Sequence, residues 1–336
     1  MTNSCSVSET AALKAADPRL FLAPMAGLTD APFRCLCRVL GGLSGAFVPM
    51  IGAAAILNAS SRRRSLQLID WLPGERRSVQ LFGGSVGDMR AACTMLLDLG
   101  AEDININLGC QAPKIVKNGG GAIWLRHIDG ALDLLEKCAE TVDGRAELSV
   151  KLRLGWDRFN ILPLAERLRE AGFAAAFVHG RLGVQAFGGE VDKAALREVV
   201  RRSSVPVYAN GDINGFEQAA AMLRDTGCRG LMIGRGALGR PDIFADLRKR
   251  FRAEESSGAE KAAEAQNQAE GLKFAVMHIE LAEKLMRRDD SELAAVRRLR
   301  RHLQYYRLLS PYAARAETFS QLKEAARRLI SENCPS

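Results

Sequence analysis

From position 20 onward, short apolar runs alternate with longer segments of helical periodicity. The runs read LFLAPM (20–25), AFVPM (46–50), SVQLFGG (78–84), DININ (103–107), SVKLRL (149–154), AAFVHG (175–180), VPVYANG (205–211) and GLMIGRG (230–236). Runs this short, rich in Val, Ile and Phe, predict buried parallel strands. Between them, MRAACTMLLDLGA (89–101), LPLAERLREAGF (162–173) and FEQAAAMLRDTG (216–227) space apolar residues three and four apart. Each carries a Gly at or near its end, where a helix C-cap takes a positive φ. Eight strand–helix alternations predict an α/β fold, a (β/α)8 TIM barrel over residues 19–252. An open doubly wound sheet would want G-x-G-x-x-G after its first strand, and that turn is absent.

The flanks follow different patterns. Residues 1–18 are polar and Ala-rich, with no apolar h-region, and are expected to form a disordered tail without a secretory signal. Residues 253–270 (AEESSGAEKAAEAQNQAE) hold no large apolar residue and read as a linker or an exposed helix. From 271 to 336 the periodicity is helical throughout, in LKFAVMHIELAEKLMRR, ELAAVRRLRRHLQYYRLL and AETFSQLKEAARRLI. A small all-helical C-terminal domain is expected after the barrel. A barrel of roughly 240 residues plus such a module accounts for the 336 residues.

Composition narrows the class. Hydrophobic residues at 47% and charged residues at 26% exclude wholesale disorder. Lys+Arg less Asp+Glu is 47 − 39 = +8, which favours a polyanionic partner. Between Arg297 and Arg328 nine Lys/Arg face two Glu, with Tyr305 and Tyr306 interleaved. That stretch is a candidate phosphate-contacting surface, with Arg300 and Arg301 within it. Adjacent on one helix, the two tyrosines cannot face one partner, so one is expected in the core. Eight cysteines without C-x-x-C, and only four histidines, predict a reduced protein with no metal site. No run approaches 18 apolar residues, so no membrane span is expected. A cytoplasmic monomer is the expectation.

In such barrels chemistry sits at the C-terminal ends of the strands, and phosphate after strands 7 and 8. Those ends read Asn210-Gly211-Asp212 and Gly234-Arg235-Gly236. Glycine lets backbone amides approach an anion, and Arg235 adds a fork of donors, so a phosphate site is predicted. Lys151 and Arg153 share one face of the fifth strand. A lysine there forms a Schiff base or places charge beside an electron-rich cofactor ring; the sequence leaves both open. His179, with Arg181 two residues on, ends the sixth strand, and Gln80 lies near the end of the third. Asn105 and Asn107 alternate inward on the fourth, and Cys110 follows on the loop as a nucleophile or general acid. The run Gly119–Gly121 makes that loop a lid candidate. The other seven cysteines read as packed or incidental.

Taken together, LAPMAGLTDAPFR (22–34), VQLFGG (79–84), DININLGC (103–110), VKLRLGW (150–156), FVHGR (177–181), VYANGDI (207–213) and MIGRGALGRPDIF (232–244) resemble the tRNA-dihydrouridine synthase family, in order and over roughly 20–245. RRHLQYY (300–306) is similar to a segment of that family's helical domain. The resemblance implies an FMN enzyme that takes electrons from NADPH and reduces the C5–C6 double bond of uridine in tRNA. It implies flavin contacts at Pro24, Met25, Ala26, Gln80, Lys151 and His179, and the FMN phosphate at Asn210, Gly211, Asp212, Gly234 and Arg235. It implies Cys110 as the proton donor to C5 and Asn107 on the uracil edge, with Arg181, Arg300 and Arg301 also toward substrate. The family cysteine is followed directly by proline; here Gln111 follows it, and Pro113 comes later. Rival readings are a barrel reductase of a free pyrimidine of the dihydroorotate dehydrogenase kind, a non-catalytic RNA-binding relative, and a Schiff-base aldolase using Lys151.

Overall fold

The computed structural model describes residues 18–252, 263–286 and 291–333. Most of the expected tail, and 253–262 of the expected linker, lie outside them. From Ala263 that stretch is already helical, opening the helix Ala263–Met286.

The strands are β1 (Arg19–Leu22), β2 (Gly45–Ala46), β3 (Val48–Gly52), β4 (Ser78–Phe82), β5 (Asp103–Leu108), β6 (Glu147–Arg153), β7 (Ala175–His179), β8 (Val207–Asn210) and β9 (Gly230–Ile233). All pair in parallel, in the order β2-β1-β9-β8-β7-β6-β5-β4-β3. Only Phe47 separates β2 from β3, so the two ends of the sheet meet there and the pieces close as the eight strands of a (β/α)8 barrel. The break has a local cause. β1 holds Gly45 and Ala46, β4 holds Val48, and the β3–β4 register shifts between Val48 and Ile51.

The main core lies between strands and helices, with Leu20, Ile51, Leu81, Ile104, Val150, Val178 and Leu231 all fully or almost fully buried. Inside the barrel the two halves differ in chemistry. Phe21, Phe47, Phe177, Tyr208 and Met232 fill one side, with Phe21 edge-on to Phe177 at 5.0 Å and Phe177 stacked on Tyr208 at 5.1 Å. The other side is a buried polar ladder. Ser78 Oγ and Ser149 Oγ donate to Asp103, Asn105 Nδ2 donates to Ser149 Oγ, and Gln80 Nε2 donates to Asn105 Oδ1. Inward-facing polar groups satisfy one another across strands, which lets them stay dry at modest cost.

Asp103 is the strained rung. Burial pushes its carboxyl up from the ordinary 3.8 to about 6, against the pull of Arg76. The folded state therefore holds a proton that the unfolded chain releases, and stability falls as pH rises from about 4 to about 6. Asp103→Asn keeps an acceptor for one serine hydroxyl, offers a donor to the other, and removes that titration. It is expected to raise stability at pH 7 by about 1–3 kcal/mol and to flatten the acid-side pH dependence, read by urea unfolding at pH 4.5 and 7. A variant that is less stable than wild type at pH 7 would show that the carboxylate is worth keeping there.

The C-terminal helices Ala263–Met286, Glu292–Leu303, Ser310–Ala313 and Phe319–Asn333 enclose a second core around Ile279, Leu299, Leu303, Phe319 and Leu322. They dock on the helix Ala31–Leu40. Phe33 packs on the rings of His278 and His302 at 5.6 and 5.0 Å, and His302 Nε2 lies 3.3 Å from Asp30 Oδ2. Two of the four histidines thus meet one aspartate, a grouping with possible metal-ligand geometry that no sequence spacing betrays. Tyr306 is 4% exposed and meets His278 Nδ1 at 3.2 Å, so it is the core member of the tyrosine pair; Tyr305 is 42% exposed. Among the described residues no helix is long and apolar enough to cross a membrane.

Candidate active site

A cavity of about 720 Å³ opens at the C-terminal ends of the strands. Pro24, Met25, Ala26, Gln80, Asn107, Cys110, Lys151, His179, Asn210, Gly211, Asp212, Gly234 and Arg235 all line it. Their convergence follows from strand periodicity. β5 pairs Asn107 with Lys151, and β6 pairs Arg153 with His179, so alternate residues of neighbouring strands point to the same interior.

The loop after β5 is pinned at every backbone group around Cys110. Asn107 Oδ1 accepts from the amides of Gly109 and Cys110, both at 2.9 Å. The Cys110 carbonyl accepts from Ala122 N at 2.8 Å. Gly121 sits at φ +67°, and a Cβ there would strike that same carbonyl. The glycine run expected to be a lid is instead a buttress, with Gly120 against Gly83 and Asn118 against Gly84. Asn107 Nδ2 donates to Gln80 Oε1 at 2.7 Å. Its polar atoms are therefore used in orienting the cysteine loop and the ladder beneath it.

Charge concentrates on the cavity floor. Burial and the neighbouring Arg153 lower Lys151 to about 8, with Cys110 opposing. No carboxylate pairs with this lysine among the described residues. His179 is lowered to about 2 by burial and then by Lys151, Arg153, Arg181 and Arg235, so the imidazole stays neutral. Arg181 Nη1 stands 3.3 Å from His179 Nε2. A guanidinium only donates, so Nε2 accepts and the ring proton resides on Nδ1. Arg153 is buried and ties two loops: Nε donates to Gly109 O at 2.9 Å and Nη2 to Gln111 Oε1 at 3.1 Å on the loop after β5, and Nη1 to Leu182 O at 2.8 Å after β7.

At the β8 and β9 ends, Gly211 takes φ +125°, and a side chain there would meet Val191 and His179. Asn210 Nδ2 donates to Met232 O at 2.7 Å, stapling β8 to β9. Arg235 is 58% exposed and lies 4.7 Å over the Phe187 ring.

Arg181 and Arg300 lie elsewhere than expected, and Asp212 takes a further role. Arg181, expected toward substrate, is 2% exposed and does not line the cavity. It holds Asp212 through both carboxylate oxygens and the Gly188 and Gly189 carbonyls, because a buried guanidinium needs acceptors for its donors. Asp212, expected at a phosphate, lines the cavity with its carboxylate turned to arginines. At φ +50° its side chain neutralises Arg181 and approaches Arg235 at 3.7 Å. Arg300, expected toward RNA, is partly buried and donates to the Ala316 carbonyl, tying the helix Glu292–Leu303 to the turn before Phe319. Arg301 stays exposed, with its guanidinium against Gly27 of the β1 loop.

Residues given no site role in the sequence reading also line the cavity: Met50, Phe187, and Gln111, which stands where the family has proline. Phe187 had a signal, a lone aromatic in the glycine-rich loop VQAFGG. Tyr305 reaches the cavity from the helical segment, and its backbone packs on Gly239.

A parallel barrel with a basic, glycine-walled cavity and a pinned cysteine at its mouth defines the class, a flavin-dependent barrel oxidoreductase. The chain belongs to the dihydrouridine synthase family, whose model (Dihydrouridine synthase, Dus) matches residues 21–334. It is 39% identical over 238 residues to "tRNA-dihydrouridine synthase B" of Pseudomonas putida, covering 70% of this chain and 69% of that one. It is 38% identical over 234 residues to the "Probable tRNA-dihydrouridine synthase" of Rhodobacter capsulatus, covering 69% and 71%. Among solved structures, histamine dehydrogenase from Rhizobium sp. 4-9 superposes with a TM-score of 0.52 at 11% identity, over 94% of this chain and 62% of that one. That likeness concerns the fold alone.

Proposed function

We propose that this enzyme reduces the C5–C6 double bond of specific uridines in tRNA, taking electrons from NADPH through FMN. The observation that carries this is the pairing, in one cavity, of Cys110 on a pinned loop with a half-buried Lys151 that no carboxylate pairs among the described residues. The residues fit a flavin mononucleotide. An ammonium on the cavity floor without a carboxylate suits an electron-rich ring, and the glycine turns at 211 and 234 with Arg235 suit a phosphate. When bound, the flavin supplies the hydride that adds to uracil C6. Lys151 would hold its charge against the pyrimidine end of the ring, with Gln80 and the neutral His179 beside it and Pro24, Met25 and Ala26 along the β1 wall. Cys110 gives its thiol proton to C5 and is reprotonated from solvent.

The target base must leave its stack to enter. We assign residues 19–252 to catalysis and 271–336 to tRNA contact. Arg301 beside Gly27 and Tyr305 at the cavity rim support that division, since both extend the site beyond a free pyrimidine. We place the enzyme in the cytoplasm as a monomer.

The test is to reduce the enzyme anaerobically and offer either tRNA lacking dihydrouridine or free uracil and orotate. Flavin reoxidation by tRNA is expected, with formation of dihydrouridine by mass mapping, and none by the free bases. Equal reoxidation by orotate would replace this reading with the free-pyrimidine one.

A further inference from the structure

Gln111 occupies the position directly after the cysteine, and its surroundings give it a defined orientation. The Arg153 guanidinium has only donors, so the oxygen of the Gln111 amide must face it, as the 3.1 Å Nη2–Oε1 contact has it. The amide nitrogen then points away from Arg153. Gln111 lines the cavity, and its Nε2 has no hydrogen-bond partner among the described residues. A guanidinium bound to the oxygen also polarises the amide, making its N–H groups better donors.

This donor is not needed to brace the loop. Cys110 is held through its amide by Asn107, through its carbonyl by Ala122, and the preceding Gly109 carbonyl by Arg153. Removing the Gln111 side chain would leave all three of those bonds. An oriented, polarised donor beside the cysteine therefore calls for a partner in the cavity.

The chemistry of the reduction says what that partner is. Hydride addition at C6 sends the C5=C6 electron pair to C5, where it is shared with O4 as an enolate. The Cys110 Sγ–H bond then breaks, and its proton forms the new C5–H bond. C4 and its oxygen adjoin C5, so with C5 at the Cys110 thiol, O4 falls among the cavity groups around the cysteine, and Gln111 is one of them. We propose that Gln111 is a substrate-recognition residue whose Nε2–H donates to O4 of the target uracil, stabilising the enolate and rejecting cytosine, whose C4 carries a competing donor. This rests on the uridine-reduction reading above.

The test uses two variants of the full-length enzyme carrying FMN. Gln111→Glu keeps an acceptor for Arg153 but has no donor, and Gln111→Met keeps only the length. Flavin content and the rate of reduction by NADPH serve as controls for folding. Both variants are expected to be reoxidised by tRNA about 100-fold more slowly than wild type, the lower end of the span seen when an oxyanion donor is removed. A transcript made with 4-thiouridine, a poorer acceptor at that position, should slow wild type but slow the variants no further. Glu at the wild-type rate with Met slow would make Gln111 a brace and overturn the proposal. So would independent, multiplying effects of the variant and the thio substitution. Wild-type enzyme that tRNA fails to reoxidise would instead overturn the function on which the proposal stands.

Discussion

Replacing Cys110 with alanine is expected to leave flavin binding and reduction by NADPH intact, while slowing reoxidation by tRNA about 10²–10⁴-fold, the usual span for a general acid. The loop should survive the change, because Cys110 itself is held through its backbone, its amide by Asn107 Oδ1 and its carbonyl by Ala122 N. Cys110→Ala thus removes the proton and little else. Cys93→Ala and Cys228→Ala serve as controls, since both thiols are buried away from the cavity. The measurement is stopped-flow reoxidation of pre-reduced enzyme by dihydrouridine-free tRNA. Wild-type kinetics in Cys110→Ala would assign the proton to water or to another group.

Arg235→Ala is expected to weaken FMN retention about 10–150-fold, the equivalent of one charge-assisted phosphate contact at roughly 1.5–3 kcal/mol. The local charge count explains why so exposed a residue should matter. Asp212 already offsets Arg181, so Arg235 supplies the net positive charge of that corner. Arg235→Lys keeps the charge but loses the planar fork and the stack on Phe187, and should fall between alanine and wild type. Equal flavin occupancy of Arg235→Ala and wild type after dialysis would move the phosphate elsewhere.

Much of the architecture is local information. Eight apolar runs with helical segments between them are enough for a parallel barrel, because a strand buried on both faces must be apolar and its return must cross by a helix. The break at Phe47 was not legible, since AFVPM reads as one strand until its two neighbours pull it into different registers. Strand ends likewise bring Gln80, Asn107, Lys151, His179, Gly211 and Gly234 to one mouth by alternation alone.

What each polar side chain does there was decided by its partners in space. Arg181 follows His179 by two residues and reads as a second site cation, yet the carbonyls of Gly188 and Gly189 and the Asp212 carboxylate draw it inward. Arg300 and Arg301 are neighbours of one type, and only the helix rotation sends one to the Ala316 carbonyl and the other to Gly27. The glycines at 119–121 allow either a lid or a buttress, and the close approach of Gly121 to the Cys110 carbonyl selects the buttress. Asp30, His278 and His302 lie on three different helices or their caps and meet only because the helix Ala263–Met286 docks on Ala31–Leu40 while Glu292–Leu303 packs beside it. Periodicity along the chain determines which face a residue takes. Which acceptor a buried donor finds depends on loops that are distant in sequence, and only the folded structure brings those together.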